Sequence, residues 1–373
     1  MHSGVLMRLG KNAVLYIGGL ASILYFYGAL IQPIYLLFPV MTAYSLMLFT
    51  GIQKYPLKVA ISYFLLMTLT LTLLLLQLVV HANPGVLFNF TLCLFCLFSV
   101  GLITWNMPQH KLIKLLIFMI KVVILYSLID GVWRLLHPNP EQIFPGNPFF
   151  YRYKDNSLMF EDSNFVGALL AVTYGCYSFL RYKFGYQNRS IVFFIYLAAI
   201  LTFSRASIIA MIALEGYKVY IRLKPTWRAI CIIAFLSVLG SVYGYLVQDG
   251  SFRTKFYIID LFLQYYPKVS DEHKLLGIGL GNTFDYLGIG AHSILVVYAF
   301  ELGVLGSILQ LLIFTIVILL SRKNALFILI PYAVNGFSLT AIAIPAMFIF
   351  LAFITSLSFE NRNNESLRTY SNL

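Results

Sequence analysis

The chain has 373 residues, 60% hydrophobic and 11% charged, with a formal net charge of +12 and a mean hydropathy of +0.84. Soluble domains carry roughly 25% charged residues, so this chain lacks the polar surface to cover a globule in water, and soluble fold classes are excluded. Its basic residues sit in short segments between apolar runs, which points to orientation in a bilayer and away from a nucleic-acid partner.

A helix needs about 20 residues to cross the hydrocarbon core. On that scale twelve spans are predicted: 12–31, 33–51, 58–80, 85–105, 113–136, 164–180, 190–204, 205–221, 228–247, 292–320, 325–342 and 345–359. No cleavable signal peptide is expected, because the first apolar run is too long and lacks a small-residue cleavage site. In the fourth run Cys93 and Cys96 form a C-x-x-C with no charged neighbour, so buried structural roles are expected. Lys121 falls inside the fifth span, and Ser204 and Arg205 divide 190–221 into two.

With a cytoplasmic amino terminus and strict alternation, seventeen of the 26 basic residues fall on the cytoplasmic side. Glu141, Asp155, Glu161, Asp162, Asp249, Asp260, Asp271, Glu272 and Asp285 fall on the other. That bias satisfies the positive-inside rule. The expected fold is an all-α polytopic membrane protein: about twelve transmembrane helices in a single integral membrane domain over 1–373.

Two outer segments, 137–163 and 248–291, are longer than a connection requires, and such loops usually hold function. In the second, Phe252, Phe256, Ile259, Leu263 and Tyr266 recur at helical spacing. They predict an amphipathic helix over 251–266, either on the outer membrane surface or packed on the loop. The polar tail 360–373 is expected to be disordered and cytoplasmic.

Four motifs carry chemistry-bearing side chains: Phe160-Glu161-Asp162-Ser163-Asn164, Thr202-Phe203-Ser204-Arg205, the glycine-rich 277–282, and Ala291-His292-Ser293, eleven residues ahead of Gly303. In order and spacing they resemble the O-antigen polymerase/O-antigen ligase superfamily of bacterial membrane glycosyltransferases, at motif level over about 155–310 and in topology over the whole chain. The resemblance implies a GT-C-like fold in the bacterial inner membrane, with both termini cytoplasmic, 137–163 and 248–291 as periplasmic loops, and the active face periplasmic. It implies transfer of a glycan from undecaprenyl diphosphate to a carrier-linked repeat unit, or to lipid A-core in the ligase variant. A chain-length regulator and a flippase are the implied partners, beside membrane lipid.

That chemistry needs a base for the acceptor hydroxyl and positive charge for the departing diphosphate. No Asp-x-Asp is present to hold a metal, and no metal or cofactor is expected. Guanidinium groups offer planar two-point contacts to phosphate oxygens. Arg205, at a helix start, is the first candidate, followed by Arg253 with Lys255, then Arg152 with Lys154. His292 is the candidate base, since imidazole titrates near neutrality. Asn164 is expected to cap its helix, and Asp162 with Asn164 to meet sugar hydroxyls.

In a continuous helix over 292–320, His292, Ala299, Gly303 and Gly306 would share a face suited to a polyprenyl chain, with Glu301 on the opposite face. Lys121, Glu215 and Glu301 each need a partner within the membrane. They would be the coupling groups of a transporter or lipid-linked oligosaccharide flippase, a reading disfavoured by the lack of repeat-related halves.

Overall fold

The computed structural model describes residues 2–50, 55–105, 107–142, 149–233, 237, 250–339 and 343–359, and among these every regular element is helical. The tail 360–373, and most of the predicted span 228–247, lie outside the described residues, although 225–233 are helical. The larger helices are α1 (His2–Ile23), α2 (Pro33–Phe49), α3 (Leu57–Val79), α4 (Pro84–Trp105), α5 (Gln109–Leu136), α6 (Ser163–Phe184), α7 (Arg189–Leu201) and α8 (Arg205–Tyr220). After them come α9 (Gly250–Tyr265), the short α10 (Asp271–Leu276) and α11 (Thr283–Leu287), α12 (Gly303–Leu320), α13 (Leu326–Gly336) and α14 (Pro345–Phe359).

Five of these, α3 to α6 and α12, are long and apolar enough to cross a membrane. Shorter apolar helices in α1, α2, α7, α13 and α14 accompany them. The protein is therefore a helical membrane protein. Its centre is built from α6, the second half of α4, and α14, whose residues are buried nearly all round. Phe64 and Leu75 on α3, Phe193 on α7 and Leu319 on α12 are instead 60% or more exposed, forming an apolar exterior suited to lipid. Small and hydroxylated residues join the central helices. Gly175 of α6 lets the Phe327 carbonyl of α13 approach its backbone, and the Thr104 and Ser356 hydroxyls share a 2.6 Å hydrogen bond between α4 and α14.

Hydrogen bonds sort the connections into two ends. At one end, the Tyr27 amide donates to the Leu158 carbonyl at 3.0 Å, and the Asn83 amide to the Leu280 carbonyl at 2.8 Å. Also at that end, Ser163 Oγ donates to the Thr202 carbonyl at 2.7 Å. These bonds gather the α1–α2, α3–α4, α5–α6 and α7–α8 connections with the segment after α9. At the other end, Asn324 donates to Ser358 at 3.0 Å, tying the α12–α13 turn to the end of α14.

The span expected over 325–342 ends at Gly336, and three further expected elements differ. The first span stops at Ile23 rather than residue 31. Beyond it, Gln32 bonds both the Phe26 amide (2.9 Å) and the Phe26 carbonyl (2.7 Å), closing a compact connection. The continuous helix over 292–320 does not form. Residues Ile294–Val296 and a π turn, Val297–Glu301, precede a break at Gly303, whose φ of +63° belongs to the left-handed region. Its backbone lies against Gly277, where a Cβ would collide. His292, Ala299, Gly303 and Gly306 therefore share no helix face.

The third difference is a rotation. The helix expected over 251–266 is present as α9, but Lys255, Ile258, Phe262 and Tyr265 face the protein, whereas Phe256 (37%) and Leu263 (60%) face outward. Packing of Phe262, Tyr265 and Tyr286 on Phe300, at centroid distances of 5.7–6.0 Å, sets this orientation.

Candidate functional site

The site is assembled from four separated stretches at the end where the connections gather. Asp162 is the N-cap of α6, its Oδ1 accepting from the Asn164 amide and its Oδ2 from Asn164 Nδ2, both at 2.8 Å. The cap is thus Asp162 and not Asn164, because the helix starts at Ser163 and leaves Asn164 inside its first turn. Ser163 clamps two neighbours: its amide donates to the Lys154 carbonyl at 3.0 Å and its hydroxyl to the Thr202 carbonyl at 2.7 Å. Gly167, one turn further on, packs against Ser204 Cβ and Ser207, with no room for a side chain of its own.

The break at Ser204 and Arg205 is where the sequence places it. Phe203 has a φ of +53°, and Arg205 opens α8. Ser204 does not cap that helix with its side chain; its hydroxyl shares a 2.9 Å hydrogen bond with Ser207, which bonds Asn335 of α13 at 3.1 Å. Gly336, next in sequence, touches Ile294, and so brings the segment that carries His292 alongside.

Arg152, Lys154 and Arg205 converge on one group of rings. Phe203 stacks on Phe150 (6.3 Å, 15°) and on Tyr153 (5.9 Å, 27°). The Arg205 guanidinium lies 5.9 Å from the Phe150 centroid, and that of Arg152 lies 4.8 Å from Tyr153. Lys154 Nζ lies 4.9 Å from Tyr151 and 5.8 Å from Phe150. Cations over ring faces are attracted by about 0.5–2 kcal/mol each, which offsets part of the repulsion among three positive side chains. Arg152 Nε is buried without a hydrogen-bond partner among the described residues, leaving a donor available to an oxyanion.

His292 has a φ of +40°, a left-handed conformation that costs roughly 1–3 kcal/mol for a non-glycine residue. Together with Phe203 it places strained backbone at two of the four motifs. Desolvation and the charge of Lys255 push the imidazole below its ordinary pKa, while Asp162 and Glu161 oppose the shift. Burial likewise lowers Lys255, against the pull of Asp162. Lys255, Asp162 and Glu161 thus lie within electrostatic reach of His292. Arg253 is exposed and stays apart; two residues along a helix, it points roughly 200° away from Lys255.

No protein-family model and no curated protein matches this chain. The site therefore rests on its own chemistry.

A further part of the site is a buried ion pair. Arg134 Nε donates to Asp130 Oδ2 at 2.9 Å, and both side chains are fully buried. Arg134 also donates to the Tyr153 carbonyl at 2.7 Å, while Asp130 Oδ1 accepts from Ser157 Oγ and the Leu158 amide, each at 2.7 Å. The pair fastens the segment bearing Arg152 and Lys154 to α5. Its i,i+4 spacing of opposite charges at the end of an apolar run is the signal that points to it.

The remaining charges within apolar runs also find their surroundings. Glu301 accepts from Thr283 Oγ1 at 2.6 Å, a hydroxyl partner rather than a cation. Glu215 pairs with Lys218 and the Tyr174 hydroxyl, and Lys121 lies exposed along a groove with Asn188 and Ser190. The glycines at 277, 279 and 281, with φ near +90°, fold their loop onto Glu301 and the α3–α4 connection. Cys93, Cys96 and Cys176 are buried, and Cys231 is exposed.

Proposed function

We propose that this protein is a glycosyltransferase of the O-antigen polymerase type, acting on lipid-linked glycans at the outer face of the bacterial inner membrane. The reading rests above all on the convergence of Arg152, Lys154 and Arg205 around Phe150, Tyr153 and Phe203. Three cations supply charge for a diphosphate, and adjacent rings, with Phe149 68% exposed among them, supply faces for sugars.

The donor is a glycan joined through C1 to undecaprenyl diphosphate. In the transfer, His292 accepts the proton of the acceptor hydroxyl and that oxygen bonds to C1. The bond from C1 to the diphosphate breaks, and Arg205, Arg152 and Lys154 hold the departing anion. A depressed imidazole pKa keeps His292 neutral and able to accept at neutral pH. Asp162 and Asn164, at the start of α6, contact sugar hydroxyls, while Arg253, on the exposed side of α9, takes no part in this step.

The test is deletion of the gene in its host, with surface lipopolysaccharide resolved on a gel. Core bearing a single repeat unit, with the ladder lost, is expected for the polymerase, and Arg205→Ala and His292→Ala should fail to restore it. Bare core with polymer stranded on its carrier would replace the polymerase by the ligase. An unchanged ladder would overturn both and favour a transporter or another envelope glycan.

A further inference from the structure

The opposite end of the bundle holds a second cluster of charge that glycosyl transfer does not use. A cavity of about 370 Å³ opens between the ends of α6 and α8, lined by Ser178, Arg181 and Gln187 on one side and by Glu215, Lys218 and Arg222 on the other. Arg181 lies one turn beyond Ser178, and Lys218 and Arg222 follow Glu215 at successive turns, so facing stripes create it. Glu215 neutralises Lys218, which also reaches Ser178 Oγ at 3.5 Å. Three cations less one carboxylate leave two positive charges, those of Arg181 and Arg222.

Arginines at helix ends commonly bond the last carbonyls, but here other groups do so. The Gly185 amide donates to the Arg181 carbonyl at 3.2 Å, and the Tyr186 amide to that of Leu180 at 3.4 Å, closing α6. Arg228 closes α8, donating to the carbonyls of Tyr220 at 3.2 Å and Ile221 at 3.0 Å. Among the described residues neither the Arg181 nor the Arg222 side chain makes a hydrogen bond or ion pair. Two guanidinium forks therefore border a polar cavity with their donors unspent.

We propose that this cavity binds a phosphate group, and that its source is the headgroup of an anionic phospholipid. Guanidinium forks match phosphate oxygens in two-point contacts. The lipid source is favoured because Val219, 58% exposed, borders the cavity and continues into the apolar exterior where an acyl chain would lie. A bound headgroup would tie α6, which carries Asp162 at its other end, to α8, which carries Arg205 at its own.

The experiment uses the full chain in detergent micelles doped with phosphatidylglycerol or phosphatidylcholine, with retained lipid counted by native mass spectrometry. The wild type should retain phosphatidylglycerol preferentially, and the double variant Arg181→Gln/Arg222→Gln should retain it about tenfold less, as expected for loss of charge-assisted hydrogen bonds. Lys224→Gln, an exposed lysine outside the cavity, should behave as wild type. Thermal protection by inorganic phosphate in the wild type but not the double variant, without preference for phosphatidylglycerol, would support the phosphate site and overturn its lipid source. Equal retention by wild type and double variant, or an equal loss in Lys224→Gln, would overturn the site itself. Neither result depends on glycosyl transfer, so the two proposals fail separately.

Discussion

At the scale of single residues, His292 offers the sharpest test, because its neighbours shift it in opposite directions. Lys255 disfavours the imidazolium and Asp162 favours it. In the proposed transfer the neutral imidazole is the working form, so kcat/KM should fall on the acid side, with a midpoint below about 6.5. Lys255→Gln removes a repelling charge and should move that midpoint upward. Asp162→Asn keeps a competent cap and should move it downward. Shifts of the opposite sign in a pH–rate profile would remove His292 from the role of base.

Asp130 makes a prediction about stability. Asp130→Ala would leave Arg134 charged and fully buried, and breaking a buried pair in this way costs about 3–5 kcal/mol. A clear drop in the unfolding temperature of the detergent-solubilised protein is expected. Activity should fall as well, because Asp130 also holds the backbone of Leu158 and the Ser157 hydroxyl.

At the scale of elements, the break between the π turn and α12 matters more than its length suggests. An alanine at Gly303 must adopt a φ of +63° and also displace the backbone at Leu276 and Gly277. Gly303→Ala should therefore destabilise the protein by at least about 1–3 kcal/mol, read as loss of folded material in size-exclusion chromatography. A variant that folds normally would show that the loop over 276–283 can yield. Ser163 joins α6 to the turn before α8, and Ser163→Ala should cost about 1–3 kcal/mol by leaving the Thr202 carbonyl unpaired. Because that bond seats Thr202 beside Phe203 and Arg205, the same variant should lose donor affinity more than stability.

The elements were unevenly legible. The break at Ser204 and Arg205 could be read because a polar pair interrupts an apolar run, and α9 because its periodicity is helical. Its rotation could not, since Phe252, Phe256 and Leu263 form as good a stripe in sequence as Lys255, Phe262 and Tyr265; contact with Phe300 chose between them. The interruption at Gly303 was equally hidden, as Gly303 occurs in an apolar run and its φ is imposed by a partner 26 positions earlier in the chain, Gly277.

For the whole molecule, the bonds that gather alternate connections at one end make a topological prediction. In a background lacking the exposed Cys231, Asp285→Cys should react with a membrane-impermeant maleimide in intact spheroplasts. Lys323→Cys should react only after lysis. Both residues are exposed, at opposite ends of α12 and its flanking segments. Labelling of both from one side would contradict the alternation.

By itself the sequence determined the membrane class, the apolar runs and the clustering of basic residues in the short segments between them. Those properties are local: hydropathy and charge are read residue by residue, and the bilayer responds to them directly. Only the tertiary structure decided that α4, α6 and α14 are central while α3, α7 and α12 face outward, because lipid and a helix interior are equally apolar and leave the same composition in both. It also decided which cations meet. Arg152, Lys154 and Arg205 meet over rings from two segments, and Lys255 is half-buried while Arg253 is exposed, since such convergence depends on packing between residues distant along the chain.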